Sequence, residues 1–245
     1  MNIQEAIRVL DYGLIRLVDS MGSDLSIVRN ARVSYDAAWR AGEDEGSDAR
    51  LINYLYRNSH NTPFEAVTLS FEIKAPIFVI RQWHRHRTQS YSELSARYRP
   101  MPEEFYIPEP WLLGVQSTDN KQMRNVSSKE EYEALPDIDQ TIARSTCVHM
   151  RAANEASFKA YKLMLNDGVP RELARSVLPV ATYTHMFATM NLHNMFGFLR
   201  ERLHNHAQYE IRVYAQAMLK LAETVAPVAV AAFKKSLTEK EGYTV

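Results

Sequence analysis

The stretch Val67-Thr68-Leu69-Ser70-Phe71-Glu72-Ile73-Lys74 alternates strictly between apolar and polar side chains. A period of two belongs to a strand with one buried face, and no helix can bury Val67, Leu69, Phe71 and Ile73 together. The chain therefore has to build a sheet around this segment. Shorter strands are expected near Leu14–Val18 and Val180–Met186. Elsewhere helical periodicity prevails: residues 24–37, 48–58, a long element over 138–166, and most of 191–235. Asn166-Asp167-Gly168 supplies a stop for the long helix, and Pro170 suits the first turn of the next. Pro76 opens a short helix carrying Ile77, Phe78 and Ile80. Few strands, helical segments between them and no regular βαβ alternation give an α+β class. The expectation is a helix-rich single domain, residues 1–245, around a small antiparallel or mixed sheet.

Composition narrows the function classes. A chain of 245 residues, 46% of them hydrophobic, buries about three quarters of its unfolded surface and needs no disulfide or metal staple. Lys+Arg and Asp+Glu balance at 29 each, so the overall charge makes no case for a nucleic-acid or membrane partner. No apolar run approaches the roughly 18–20 residues of a membrane span. Met1-Asn2-Ile3-Gln4-Glu5 lacks the pattern of a signal peptide, and a cytoplasmic location is expected. One polar, aperiodic stretch at about 110–135 reads as a surface excursion and not as a hinge. The single cysteine, Cys147, excludes a disulfide framework within the chain. It falls in the long amphipathic helix with no basic group beside it, and reads as core packing, not as a nucleophile.

Charge is balanced overall but not along the chain. Between Arg81 and Arg99 lie five arginines (81, 85, 87, 97, 99) and His84 and His86 against one acid, Glu93, leading into a Ser-rich loop. Favourable interaction with a helix C-terminus accounts for Arg85 or Arg87, but not for the excess. Guanidinium forks with serine hydroxyls are what a phosphate site needs. A second cluster holds His193, Arg200, Arg202, His204, His206 and Arg212. There Arg202 and His206, like Arg200 and His204, stand at helical i,i+4 spacing and are expected to share a face. His204 and His206, two apart and without a grouped acid, make a poor metal site; no metal is expected. His60-Asn61-Thr62-Pro63-Phe64-Glu65 reads as a capping box from Thr62 to Glu65, which leaves His60 unexplained. No GxSxG, P-loop or GxGxxG motif is present.

Arg85-His86-Arg87-x-x-Ser90-x-Ser92-Glu93-x-Ser95-x-Arg97-Tyr98 resembles the RHRxxSxNExSxRY signature of the flavin-dependent thymidylate synthases. Flanking segments are similar too: Asp24 through Tyr35, His60 through Glu65, Ala75 through Trp83, Ala174 through Pro179 and His206 through Ile211. The resemblance implies a homotetramer with FAD at subunit interfaces, dUMP stacked near the flavin, NADPH as reductant and methylene-tetrahydrofolate as carbon donor. It also implies chemistry without a cysteine nucleophile. Carried over by position, Gln82, Arg85, Glu93, Ser95, Arg97, Arg175 and Arg202 contact dUMP. Arg202 corresponds to the arginine that polarises the uracil ring, and Ser95 to a substrate-positioning hydroxyl. His60 corresponds to a histidine near the ring on the folate side. Ser34, Thr62, Glu65, Arg85, His86, Arg87, Asn191, His193 and His206 correspond to FAD contacts.

Three positions depart from the pattern. Ser92 replaces the signature Asn, Gly197 stands where Asn or His is usual, and Glu201 where an apolar residue is common. They motivate an alternative with the same fold and flavin but another pyrimidine nucleotide, UMP or a modified one, or a hydroxymethyl product. A flavin-binding protein without turnover and, more distantly, a nucleic-acid-binding protein are the other readings.

Overall fold

The computed structural model describes residues 5–118 and 120–241. Met1–Gln4, read above for a leader, lie outside the described residues. The chain opens with a hairpin of β1 (Ile7–Val9) and β2 (Gly13–Met21), followed by α1 (Asp24–Arg32) and α2 (Glu45–Arg57). Next come β3 (Thr68–Pro76), α3 (Ile77–Trp83) and β4 (Ser90–Glu93). The excursion carries β5 (Val115–Gln116), β6 (Arg124–Asn125) and α4 (Lys129–Glu133). Then follow α5 (Asp137–Asn166), α6 (Arg171–Ala174), β7 (Tyr183–Asn191), α7 (Leu192–Leu203), α8 (Tyr209–Ala222) and α9 (Pro227–Glu241).

Five strands form one sheet in the order β1-β2-β3-β7-β4, each neighbouring pair antiparallel. The alternating segment is its centre. Leu69, Phe71, Ile73 and Ala75 of β3 are fully buried. Along its length β3 pairs with β7, from Thr68 opposite Asn191 to Pro76 opposite Tyr183. On the polar face Glu72 is also buried, held between Arg16 of β2 and His185 of β7, with His185 Nε2 2.7 Å away. Helices cover the apolar face. Trp83, at the end of α3, stacks on Phe198 of α7 with centroids 4.7 Å apart and meets Tyr214 of α8 edge-on. Burying a side chain of that size contributes about 1.5–3 kcal/mol or more. It also fixes where the arginine-rich signature leaves the core. Gly13 marks a close approach: a Cβ there would stand 2.0 Å from Tyr214 Oη, which donates to Lys74 O at 2.6 Å.

Several elements differ from the sequence reading. The helix expected over 24–37 stops at Arg32; Val33–Tyr35 make one 3₁₀ turn, and Asp36 takes a left-handed φ of 51°. The region 191–235 is three helices, because Asn191 caps α7 from the strand side and His204 turns extended at ψ 143°. Arg202 and His206 therefore share no helix face, nor do Arg200 and His204. His204 and His206 instead meet ring to ring at 4.4 Å, and no group of three metal-capable side chains occurs among the described residues. The Thr62–Glu65 capping box does not form: the turn Thr62–Ala66 starts from Asn61, with Thr62 as its first residue, not its cap. Pro170 stands just ahead of α6 instead of within its first turn. Part of the Ser-rich loop is β4, which pairs with β7. The excursion is structured, with its own β5–β6 ladder. Cys147 is not in the core; it is half-buried, donating to Pro108 O at 3.3 Å, and burial raises its thiol pKa.

Candidate active site

Trp83 anchors the start of the signature, and Tyr91 of β4 closes it. Tyr91 Oη donates to Trp83 O at 3.0 Å and to His86 O at 2.7 Å, clamping the turn that carries Arg85, His86 and Arg87. Burial pushes this hydroxyl up to about 12, so it remains a donor at any ordinary pH. Across from the turn, Asn194 Nδ2 donates to Thr88 O at 3.1 Å, tying the first turn of α7 to the same loop. The result is a cleft of about 610 Å³ between the signature turn and α7. His86, Arg87 and His193 border it, with Phe196 and Phe198 among its walls. Gly197 opens onto it: an added Cβ there meets no atom within 4 Å. Close packing is therefore not what this glycine serves.

Arg202, in the last turn of α7, does not itself line the cleft but bonds His86, which does. Its Nε donates to His86 Nε2 at 2.9 Å, which needs an unprotonated acceptor nitrogen. Burial, reinforced by the Arg202 charge and opposed by Glu201, holds His86 below its ordinary value of 6.5 and so supplies that acceptor. Glu201 is not simply in solvent: its carboxylate lies 3.8 Å from His86 Nε2 and 3.9 Å from Arg202 Nη2.

From this pair a polar array runs into the protein. Arg202 Nη2 approaches Gln82 O at 3.5 Å, and the Gln82 amide donates to Gln208 Oε1. Gln208 Nε2 donates to Glu210 Oε2 at 2.8 Å, and Arg124 of the excursion closes on Glu210 Oε1 at 2.6 Å. Glu210 is 1% exposed and also accepts from Tyr106 Oη at 3.1 Å. Gln208, Glu210, Arg124, Tyr106, Tyr91 and Asn194 were not singled out from sequence. Gln208 and Glu210 sat inside a quoted motif, whereas nothing local marked Arg124.

The remaining expected residues fall into separate groups. Glu93 accepts from Thr184 Oγ1 at 2.8 Å, and Ser95 Oγ accepts from the Arg97 amide at 3.3 Å. Arg97 pairs with Glu172 of α6 at 3.6 Å, and Arg175 Nε donates to Glu172 O at 3.3 Å. Two arginines 78 positions apart are thus joined through one glutamate. Arg85 is exposed beside the signature turn. Asn191 caps α7 by accepting from the Asn194 amide at 2.9 Å. His60 packs edge-on against Tyr54, its neighbours Ser59 and Asn61 lining the cleft. Ser34, Thr62 and Glu65 are exposed and do not line it, and His206 borders a different cleft beside the excursion.

The sequence model of the family described as "Thymidylate synthase complementing protein" matches residues 16–228. The chain belongs to the flavin-dependent thymidylate synthases. It is 44% identical over 235 residues to the flavin-dependent thymidylate synthase of Treponema denticola, covering 96% of this chain and 83% of that one. The Thermus thermophilus protein of the same name is 44% identical over 233 residues, covering 95% and 80%. Among solved structures, the UMP/dUMP methylase PolB from Streptomyces cacaoi bound with 5-Br dUMP superposes with a TM-score of 0.79 at 36% identity. That match covers 94% of this chain and 97% of PolB. The chain is thus an enzyme of a family named for flavin-dependent thymidylate synthesis, and FAD is that family's cofactor.

The residues of the cleft fit such a group. A flat, anionic dinucleotide needs polar donors beside apolar walls, and the Arg87 guanidinium, the Asn194 amide and the imidazoles of His86 and His193 stand beside Phe196 and Phe198. The opening at Gly197 leaves room that a longer side chain would fill.

Proposed function

We infer that the chain converts dUMP to dTMP, with methylene-tetrahydrofolate as carbon donor and NADPH as reductant, in a homotetramer holding FAD between copies. The observation that carries this reading is the bond from Arg202 to His86, a residue of the cleft wall, backed by the Gln82–Gln208–Glu210 array. In this reading Gln82, Arg85, Glu93, Ser95, Arg97, Arg175 and Arg202 bind dUMP. Arg97 and Arg175, already neighbours through Glu172, take its phosphate by charge-assisted bonds. Arg202 faces the uracil carbonyl, where negative charge develops as the carbon bond forms. His86 fixes the plane of that guanidinium from its Nε side, and Nη2 approaches Gln82 O. Ser95 positions substrate, and His60 stands toward the folate.

FAD, when bound and reduced by NADPH, would supply the hydride that turns the transferred carbon into a methyl group. His86, Arg87, His193 and Asn191 hold it from one copy, and Ser34, Thr62, Glu65 and His206 from another. The dispersal of those eight over separate surfaces supports a site completed by a second chain. So do the nearby exposed aromatics, Tyr35 at 87% and Trp39 at 73%. Sedimentation of the holoprotein checks this: one tetramer with about one FAD per chain is expected, and a flavin-loaded monomer overturns it.

A second reading, methylation of UMP, is favoured by the likeness to PolB, named a UMP/dUMP methylase and also solved with 5-Br UMP. Mass spectrometry separates them. Holoenzyme, NADPH and methylene-tetrahydrofolate are offered equimolar dUMP, UMP and dCMP, and methyl transfer to dUMP alone is expected. A methyl or hydroxymethyl group on UMP establishes the second reading, and no product in the presence of bound FAD overturns both.

A further inference from the structure

A second cleft, of about 730 Å³, lies between α2 and α9 and adjoins the first, sharing Tyr56 and Ser236 with it. Its α2 wall presents Arg50, Tyr54 and Arg57, spaced i, i+4 and i+7 and so on one helix face. Neither arginine has a carboxylate within ion-pair distance among the described residues, whereas Lys235 of α9 already meets Glu239 at 3.7 Å. Tyr54 is 49% exposed, and the His60 ring stands edge-on to it with centroids 5.8 Å apart. A ligand reacting in the first cleft and long enough to pass Tyr56 would therefore bring its far end to two unpaired guanidiniums and an open aromatic face.

We propose that the α2–α9 cleft binds the tail of the folate cosubstrate, Tyr54 taking its aminobenzoyl ring and Arg57 and Arg50 its glutamate carboxylates. The assignment rests on folate being the carbon donor. Arg50 and Arg57 stand on one helix face about 10 Å apart along the axis, a separation that a chain of carboxylates can follow. Successive glutamates, with a carboxylate at every residue, can reach each in turn. The 2′-phosphate of NADPH shares the anionic chemistry and is the source the test has to distinguish.

Calorimetric titration of the FAD-loaded protein provides the test, with tetrahydropteroyl-monoglutamate, its triglutamate and 6-methyltetrahydropterin, which has no tail. The parent protein is expected to bind the triglutamate more tightly than the monoglutamate. In Arg50→Gln/Arg57→Gln that preference falls about five-fold, in line with exposed charge pairs. Circular dichroism on the same variant confirms folding, and Arg50→Lys/Arg57→Lys restores part of the preference. An unchanged triglutamate preference in the variant overturns the proposal, as does an equal loss for the tail-less pterin. Loss of preference for NADPH over NADH, with the glutamate preference intact, assigns the cleft to the dinucleotide instead. If the parent binds none of the three pterins, the folate reading itself fails and the tail site with it.

Discussion

Glu201, one of the three departures from the family pattern, stands 3.9 Å from Arg202 Nη2 and 3.8 Å from His86 Nε2, so on the proposed reading Arg202 meets dUMP with part of its charge already answered. At 66% exposure that carboxylate is well screened, and its effect is small. Glu201→Leu is expected to raise kcat for dUMP by about two- to five-fold, the range for an exposed pair. A kcat that stays level or falls removes this account of the position. Arg202→Ala has a larger expected effect, a loss of about 10²–10³ in kcat, as for an oxyanion donor. Arg202→Lys should recover little, because a point charge cannot bond His86 and the ring carbonyl in one plane. Single-turnover rates of methyl transfer measure both.

His86 carries a pH dependence at the same scale. Its folded pKa lies below 6.5, so between that lower value and 6.5 the unfolded chain binds the extra proton. Stability therefore rises with pH through this window, is fully present above about 6.5, and is lost as pH falls toward the folded pKa. Urea midpoints measured from pH 5 to 7.5 should show that slope, and His86→Gln should flatten it. Equal slopes in parent and variant would mean that His86 is not the titrating group.

At the scale of elements, β3 was legible because period-two alternation and burial on one face are the same fact. Its partners were legible only in part. The apolar tract behind β7 was visible, but its span, Tyr183–Asn191, is set by its register with β3. β4, four residues of which one is a tyrosine and two are serines, has no apolar alternation and is a strand because β7 offers it an edge. Gly13 shows how tightly these pieces approach. Gly13→Ala would force its Cβ into Tyr214 Oη and Val9 O, at 2.0 and 2.4 Å. The expected cost is about 1–3 kcal/mol, as for overpacking, read as a lower urea midpoint with an unchanged slope.

The excursion makes its contribution through Arg124. Removing its guanidinium leaves the buried Glu210 carboxylate with only the neutral donors Tyr106 and Gln208. Arg124→Ala is expected to destabilise by about 3 kcal/mol, the lower end for breaking a buried pair. It should also expose residues 112–126 to limited proteolysis well before the sheet yields. Because Glu210 holds Gln208 and Gln208 holds Gln82, the same variant should weaken dUMP binding. If proteolysis is unchanged, the array does not tie the excursion to the core.

Across the whole molecule, the chemistry is distributed among parts of the chain that composition could not connect. The signature could be read as an anion site from its arginines and serines, since charge density along 19 residues is a local property. The meeting of Arg97 with Arg175 through Glu172, and of His86 with Arg202, joins residues 78 and 116 positions apart. The pairing of β4 with β7 and the packing of α7 onto Trp83 bring these segments together. The sequence reading found helical periodicity over most of 191–235 without placing a break; the structure ends α7 at Leu203, turns extended at His204 and resumes with α8 at Tyr209.

Short-range physics set the features legible along the chain: the alternating strand, the positions of most helices, the stop at Gly168, and a cationic segment suited to phosphate. The sequence motifs also named the family. Tertiary structure decided which residues share a cleft, that His86 is a neutral acceptor for Arg202, and that Arg124 secures the buried Glu210. Those depend on burial and on contacts between distant segments, and the free energy of a charge or a hydrogen bond is set by what surrounds it in space, not by its neighbours along the chain.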